Sequence, residues 1–253
     1  MKEGIQMSHT IDFSNDFSAS EISSVFINSA VCELTVCPSK DNAAHVKCKN
    51  VPNGSFAEVT DSTLHIEVKK QSMLKSVFKN PLKNPTCTVA LPKKTFDTFT
   101  VKAGVGNKKI SDVTCREAFV DSGVGNTVIE GLRPQEALKL KSGSGNVKAD
   151  IPQCGKAEIS TGTGNTSVNC CATGLNVKGG TGNINISGTV NGDIVLKGGV
   201  GTLTFDGTAN GDLTASSGVG NINLLLHEDP ANAEKHNIKT SHGIGKVIVE
   251  YVP

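Results

Sequence analysis

Eight Gly-x-Gly sequences lie beside short apolar runs, and a glycine-rich turn next to a strand is the kind of element that can cradle a phosphate. A dinucleotide fingerprint also needs a third glycine, a helix start and an acidic residue about twenty positions further on. Here the glycines recur with strand-like sequence on both sides, so they read as structural corners. Calcium-binding nonapeptide solenoids place an aspartate in each short turn, where this chain has Asn or Lys. The histidines at 9, 45, 65, 227, 236 and 242 are scattered and fall in no HExxH or GxSxG arrangement. Cys32 and Cys37 do not have zinc-knuckle spacing. Cys170 and Cys171 are adjacent; they read as turn or core thiols, with a vicinal disulfide as the alternative. No catalytic, cofactor-binding or metal-ligating residue is assigned.

The elements that carry these residues follow from the glycine spacing. KAGVGN starts a series continued by DSGVGN, KSGSGN, STGTGN, KGGTGN, KGGVGT, SSGVGN and SHGIGK. The paired corner glycines are Gly104 and Gly106, Gly123 and Gly125, Gly143 and Gly145, Gly162 and Gly164, Gly180 and Gly182, Gly199 and Gly201, Gly218 and Gly220, and Gly243 and Gly245. First glycines are separated by 19, 20, 19, 18, 19, 19 and 25 residues.

Four and six positions after the first glycine the chain is mostly apolar, as at Val147 and Ala149, Ile184 and Ile186, or Leu203 and Phe205. Five and three positions before it the pattern repeats, as at Phe99 and Val101, Leu138 and Leu140, or Ile194 and Leu196. Period two means strand, so each repeat is two strands flanking a glycine corner. Neither strand can bury its apolar face alone. Stacking coils about 4.8 Å apart pairs every backbone and closes a narrow core. The sequence therefore predicts an all-β fold, a single-stranded parallel β-helix of about eight coils of roughly 19 residues.

An asparagine follows the corner at Asn107, Asn126, Asn146, Asn165, Asn183 and Asn221, and stacked amides can hydrogen-bond up and down such a column. Lys102, Lys141, Lys178 and Lys197 recur two residues before the corner and point outward. They form a solvated face, with a ladder for an anionic polymer as the alternative. Cys115 and Cys154 share a column two coils apart, about 9.6 Å, beyond the roughly 7 Å a disulfide tolerates, so they stay reduced.

The regular solenoid is expected over 99–253. Residues 1–98 lack the corner motif and alternate only in bursts, at 31–36, 45–48, 64–68 and 87–91, which reads as irregular first coils or a cap on the open ladder end. Two insertions interrupt the pattern. Gln71–Pro85 is basic and apolar, a lid or partner-contact loop, and Leu226–Lys239 protrudes before the closing strand.

Composition bounds the function. Lys plus Arg (25) nearly balance Asp plus Glu (24), which gives no field for gathering nucleic acid. One Tyr and no Trp argue against the sugar platforms of carbohydrate-cleaving β-helices, as does the lack of an acidic column. No leader or membrane-spanning segment is visible in the sequence, so the expectation is a cytoplasmic protein, with export lacking a recognisable leader as the alternative.

The stretch LPKKTFDTFTVKAGVGN at 91–107, followed by serial GxGN coils, resembles a bacterial family of unknown function whose members are described as candidate adhesins. The likeness covers nearly the whole chain, and it implies a single-stranded β-helix entered through irregular N-terminal strands, without enzymatic activity. Together these readings give a non-enzymatic scaffold or adhesin-like module that presents an elongated face to a protein or polymer. The alternatives are a filament assembled through solenoid ends and a glycan-active enzyme.

Overall fold

The computed structural model describes residues 10–70, 84–227 and 237–252; the greater part of both insertions, 71–83 and 228–236, lies outside them. Among the described residues there is no α-helix, only strand and one short 3-10 turn. The regular part begins at β8 (Thr95–Val105) and β9 (Lys108–Ser111), which meet at the first glycine corner. It continues through β10 (Thr114–Val124), β11 (Thr127–Glu130), β12 (Arg133–Ser144), β13 (Val147–Thr163) and β14 (Thr166–Thr181). Then follow β15 (Ile184–Val190), β16 (Ile194–Val200), β17 (Leu203–Ala209), β18 (Leu213–Val219), β19 (Ile222–Leu226), β20 (Ile238–Ile244) and β21 (Val247–Tyr251).

Each coil pairs in parallel with the next on both sides of the corner. One ladder runs β8–β10–β12–β13–β14–β16–β18–β20, and the other runs β9–β11–β13–β14–β15–β17–β19–β21. β13 and β14 enter both ladders because each bends through the turn opposite the corner without losing strand geometry. Cys170 and Cys171 are therefore strand residues, and they alternate as strand residues must: Cys170 is buried and Cys171 exposed. All eight cysteines are free.

The apolar columns point inward as the period-two pattern requires. Phe99, Val101, Leu140, Ile159, Val177 and Leu196 are fully buried along one wall, and Phe205 and Leu224 along the other. Each such side chain contributes about 1.5–3 kcal/mol of burial. Val249 departs from its column with 40% exposure, because no described coil stacks beyond it.

The N-terminal strands are β1 (Thr10–Ser18), β2 (Ser24–Val31), β3 (Glu33–Pro38), β4 (Ala43–Pro52), β5 (Phe56–Thr60), β6 (Thr63–Val68) and β7 (Thr86–Leu91). They stack out of sequence order. β2 and β3 form a coil lying directly on β8 and β9, and β6 and β7 lie on the other side of β2 and β3. A parallel coil is thus inserted between two later segments. Outside it the pairing turns antiparallel, with β4 between β7 and β1, and β5 on β6. The antiparallel strands close this end.

Candidate binding groove

At the corner, the second glycine of each pair has positive φ, +132° at Gly145, which Gly adopts without strain. The six asparagines do form one column, but its rungs differ from stacked amides. Asn107 Oδ1 accepts from the backbone N–H of Asn126 at 3.0 Å, and Asn126, Asn146 and Asn165 repeat the bond to Asn146, Asn165 and Asn183. Asn183 serves Thr202, and Asn221 serves Lys246. The neighbours Gly106 and Lys108 donate forward, to Val124 and Asn126 carbonyls of the next coil. The ladder N–H points back instead, and the side-chain oxygen of the preceding coil receives it. Glu33 starts the column: its Oε2 accepts from Asn107 N–H at 3.2 Å. The opposite turn carries a second ladder that sequence reading missed: Asp193 Oδ1 accepts from Asp212 N–H, and Asp212 from Asn237 N–H. The repeated Asn-Gly-Asp at 191–193 and 210–212 was its signal.

Under the corner the lumen carries polar side chains. Ser29, Ser122, Ser142 and Ser217 are buried there, and Thr127 donates to Ser122 at 2.8 Å. Lys108 stands where later coils carry Thr, Val, Ile or Leu, is only 1% exposed, and donates through Nζ to the Val124 carbonyl at 2.9 Å. Desolvation lowers its pKa, and Glu33 opposes that shift. A lysine whose folded pKa is depressed loses stability while it stays protonated, and recovers it as pH rises toward the ordinary lysine range. Val124 O keeps its backbone bond from Gly106 N–H without the ammonium. Lys108→Met is therefore expected to hold or raise the melting temperature at pH 7, with its advantage over wild type shrinking as pH rises. Thermal melts of both chains across pH 7–10 check this; a large loss at pH 7 would assign the ammonium a net stabilising role.

The lysine column is exposed, but it is not continuously basic. Register places Asp121 between Lys102 and Lys141, and Ser160 between Lys141 and Lys178. That interruption favours the solvated face.

Among the concave features, one spans six coils. Pairing register slips at Cys115/Glu117 and at Ile151/Cys154. Just beyond these slips the outer surface forms a groove of about 860 Å³. Its floor is a column in unbroken register, Thr100–Phe119–Lys139–Glu158–Asn176–Val195. A second column, Thr98–Glu117–Ala137–Lys156–Gly174, flanks it. Lys139 Nζ meets Glu158 Oε2 at 3.4 Å along the floor, an exposed pair worth little energetically. Phe119 offers a half-buried aromatic face. Five coil steps give a length of about 24 Å, room for an extended peptide of about seven residues or a polymer of like length. Among the described residues, no group of three or more His, Cys, Asp or Glu is placed to hold a metal. None of the corner glycines or ladder asparagines lines this groove.

These coils define a parallel β-solenoid with a lengthwise groove and an antiparallel N-terminal closure. The chain belongs to the Toastrack family (DUF4097), whose profile matches residues 22–250. No protein of curated function matches it. Among solved structures it is similar to a proposed lipid-binding protein from Parabacteroides distasonis, at 18% identity and a TM-score of 0.56, covering 96% of this chain and 97% of that one. It is also similar to a proposed adhesin from Bacteroides fragilis, at 16% identity and a TM-score of 0.50, covering 98% of this chain and all of the other. At such identities the likeness speaks for the fold alone. Among the described residues no helix is long and apolar enough to cross a membrane.

Proposed function

We propose that this protein is a non-enzymatic, adhesin-like binding module that holds an extended polymer or peptide segment along its groove. The groove spanning six coils carries this reading, since its columns repeat along the axis at the strand spacing and suit a ligand that is itself linear and repetitive. Its floor mixes an aromatic face, an amide and charges of both signs, which fits polar polymer recognition better than a bare apolar surface. The adhesin description of the Bacteroides fragilis structure agrees with this use.

Gly174 supplies a clean test. A Cβ added there would meet nothing closer than 3.8 Å, so Gly174→Phe projects a ring into the groove without disturbing the stack. In a screen of polysaccharides and extended peptides, wild type is expected to bind at least one linear class. Gly174→Phe and Phe119→Ala are expected to weaken that binding about tenfold or more, with unchanged melting. Binding untouched by both variants would remove the groove from the reading, and release of reducing ends would replace it with the enzymatic alternative.

A further inference from the structure

The two ends of the solenoid are unlike. At the N-terminal end the parallel ladders are closed by β1 on β4 and by β5 on β6, both antiparallel. β1 is bulged between Ile11 and Phe13 and carries Asp12 and Asp16, and β5 is only five residues long. Bulges, charge and shortness are the devices by which sheet edges avoid further pairing. At the other end, among the described residues, β20 pairs only with β18 and β21 only with β19, and one edge of each lies open. Side chains of a column buried elsewhere emerge here. Val249 is 40% exposed and Tyr251 38%, whereas Leu224 and Phe205, in the Val249 column, are fully buried. Outward on the same coil, Ile244 and Ile248 are 71% and 44% exposed.

The terminal strand is self-complementary. Lys246-Val247-Ile248-Val249-Glu250 reads the same in charge character when paired with itself in opposite direction about Ile248. That pairing sets Lys246 against Glu250 of the second copy at both ends and Val247 against Val249 on the inward side. A two-fold axis normal to the sheet at Ile248 keeps each inward face inward, so the exposed apolar end of one core meets that of the other.

We propose that the C-terminal end of the solenoid docks a second copy of this chain through antiparallel pairing of β21 with β21, giving a closed two-fold dimer. The contact is isologous and uses the end that is open among the described residues, so it cannot propagate. A head-to-tail filament would need the N-terminal end to be open as well. The proposal is independent of the groove, which faces sideways from the stack.

Sedimentation equilibrium on the full chain tests it. Wild type is expected to reach the mass of two chains and stop. Lys246→Glu and Glu250→Lys, both at exposed positions, each place like charges opposite one another twice and are expected to raise the dimer Kd about tenfold. The double swap Lys246→Glu with Glu250→Lys restores the opposite-charge pairs, and its Kd is expected to return to within about threefold of wild type. Gly174→Phe leaves the dimer unchanged. A chain that stays monomeric up to about 100 μM, or grows past two copies, overturns the proposal. So does a double swap no tighter than the single variants, or a dimer that forms only after residues 228–236 are deleted, which would show that segment covering the end.

Discussion

Gly145→Ala is expected to cost about 3 kcal/mol or more and to lower the melting temperature by roughly 6–12 °C, while Gly174→Ala stays within about 0.5 kcal/mol of wild type. Both are glycines of the same stack, so general helix or strand propensity cannot separate them. Gly145 has φ +132°, outside the range that suits an L side chain, and its added Cβ would come within 2.6 Å of the Gly125 carbonyl carbon and closer still to its oxygen. That oxygen belongs to the backbone of the preceding coil. It cannot swing aside without breaking the stacking distance on which the ladders depend. Gly174 has neither constraint, for its nearest neighbours would be Asp193 O and Lys156 Cγ at 3.8 Å. Differential scanning calorimetry of the two variants reads the contrast. Because each coil touches only its neighbours, the Gly145 lesion is also expected to broaden or split the transition, separating coils before and after it. Equal melting of both variants would mean that the corner is soft enough to widen.

The repeat made the fold legible because two independent regularities agreed. The glycine pairs fixed the corners, and the apolar pairs at constant distance from them fixed which side chains face inward. Ile159, Val177 and Leu196 could be placed from spacing alone, and they are fully buried. What spacing cannot carry is the order in which segments stack when they lack the motif. β2 and β3 present Ala30-Val31-Cys32-Glu33 where later coils have Gly-x-Gly-Asn, and the structure seats that turn beneath Gly104 and Gly106. The Ala30 and Cys32 carbonyls would crowd a Cβ at Gly104 and Gly106, so the glycine requirement begins with the coil that stacks on this turn. The groove was invisible for a different reason. Phe119, Lys139, Glu158 and Asn176 each lie four residues before a corner glycine, so spacing places them in one outward column, but they share no residue type to mark it, and the concavity over them shows only in the folded surface. Lys108 was likewise hidden, since its chemistry is that of a surface residue and only its neighbours make it a core one.

Removal of one whole coil is expected to be tolerated where removal of half a coil is not. Deleting residues 180–198 joins Gly179 to Gly199 and brings the Gly199–Gly201 corner to the place of the Gly180–Gly182 corner. Register gives the consequence residue by residue. Leu203 and Phe205 stack over Ile184 and Ile186, which themselves stack over Thr166 and Val168, so after the deletion Leu203 lands on Thr166 and Phe205 on Val168. On the other wall Leu213 descends from Ile194 to Leu175, and Ala215 from Leu196 to Val177. The Asn165 oxygen, which had served Asn183 N–H, receives Thr202 N–H instead. Inward columns stay inward, and the cost is confined to one coil's interfaces plus the misfit of Phe205 against Val168, which is typically 1–3 kcal/mol for overpacking. Deleting residues 180–189 removes a corner together with all of β15 but Val190 and leaves only the four residues 190–193 between Gly179 and β16. β16 belongs beside β14 on the wall that β14 has just left, and without the corner strand its path back to that wall is gone. Register with β18 then fails, and the Ile194 and Leu196 side chains lose the core. The longer deletion is expected to stay soluble with a single sharp melt a few degrees below wild type, and the shorter one to aggregate or melt far lower. Static light scattering and thermal circular dichroism on the two purified variants decide it: better tolerance of the ten-residue cut would contradict a stack whose unit is the two-strand coil.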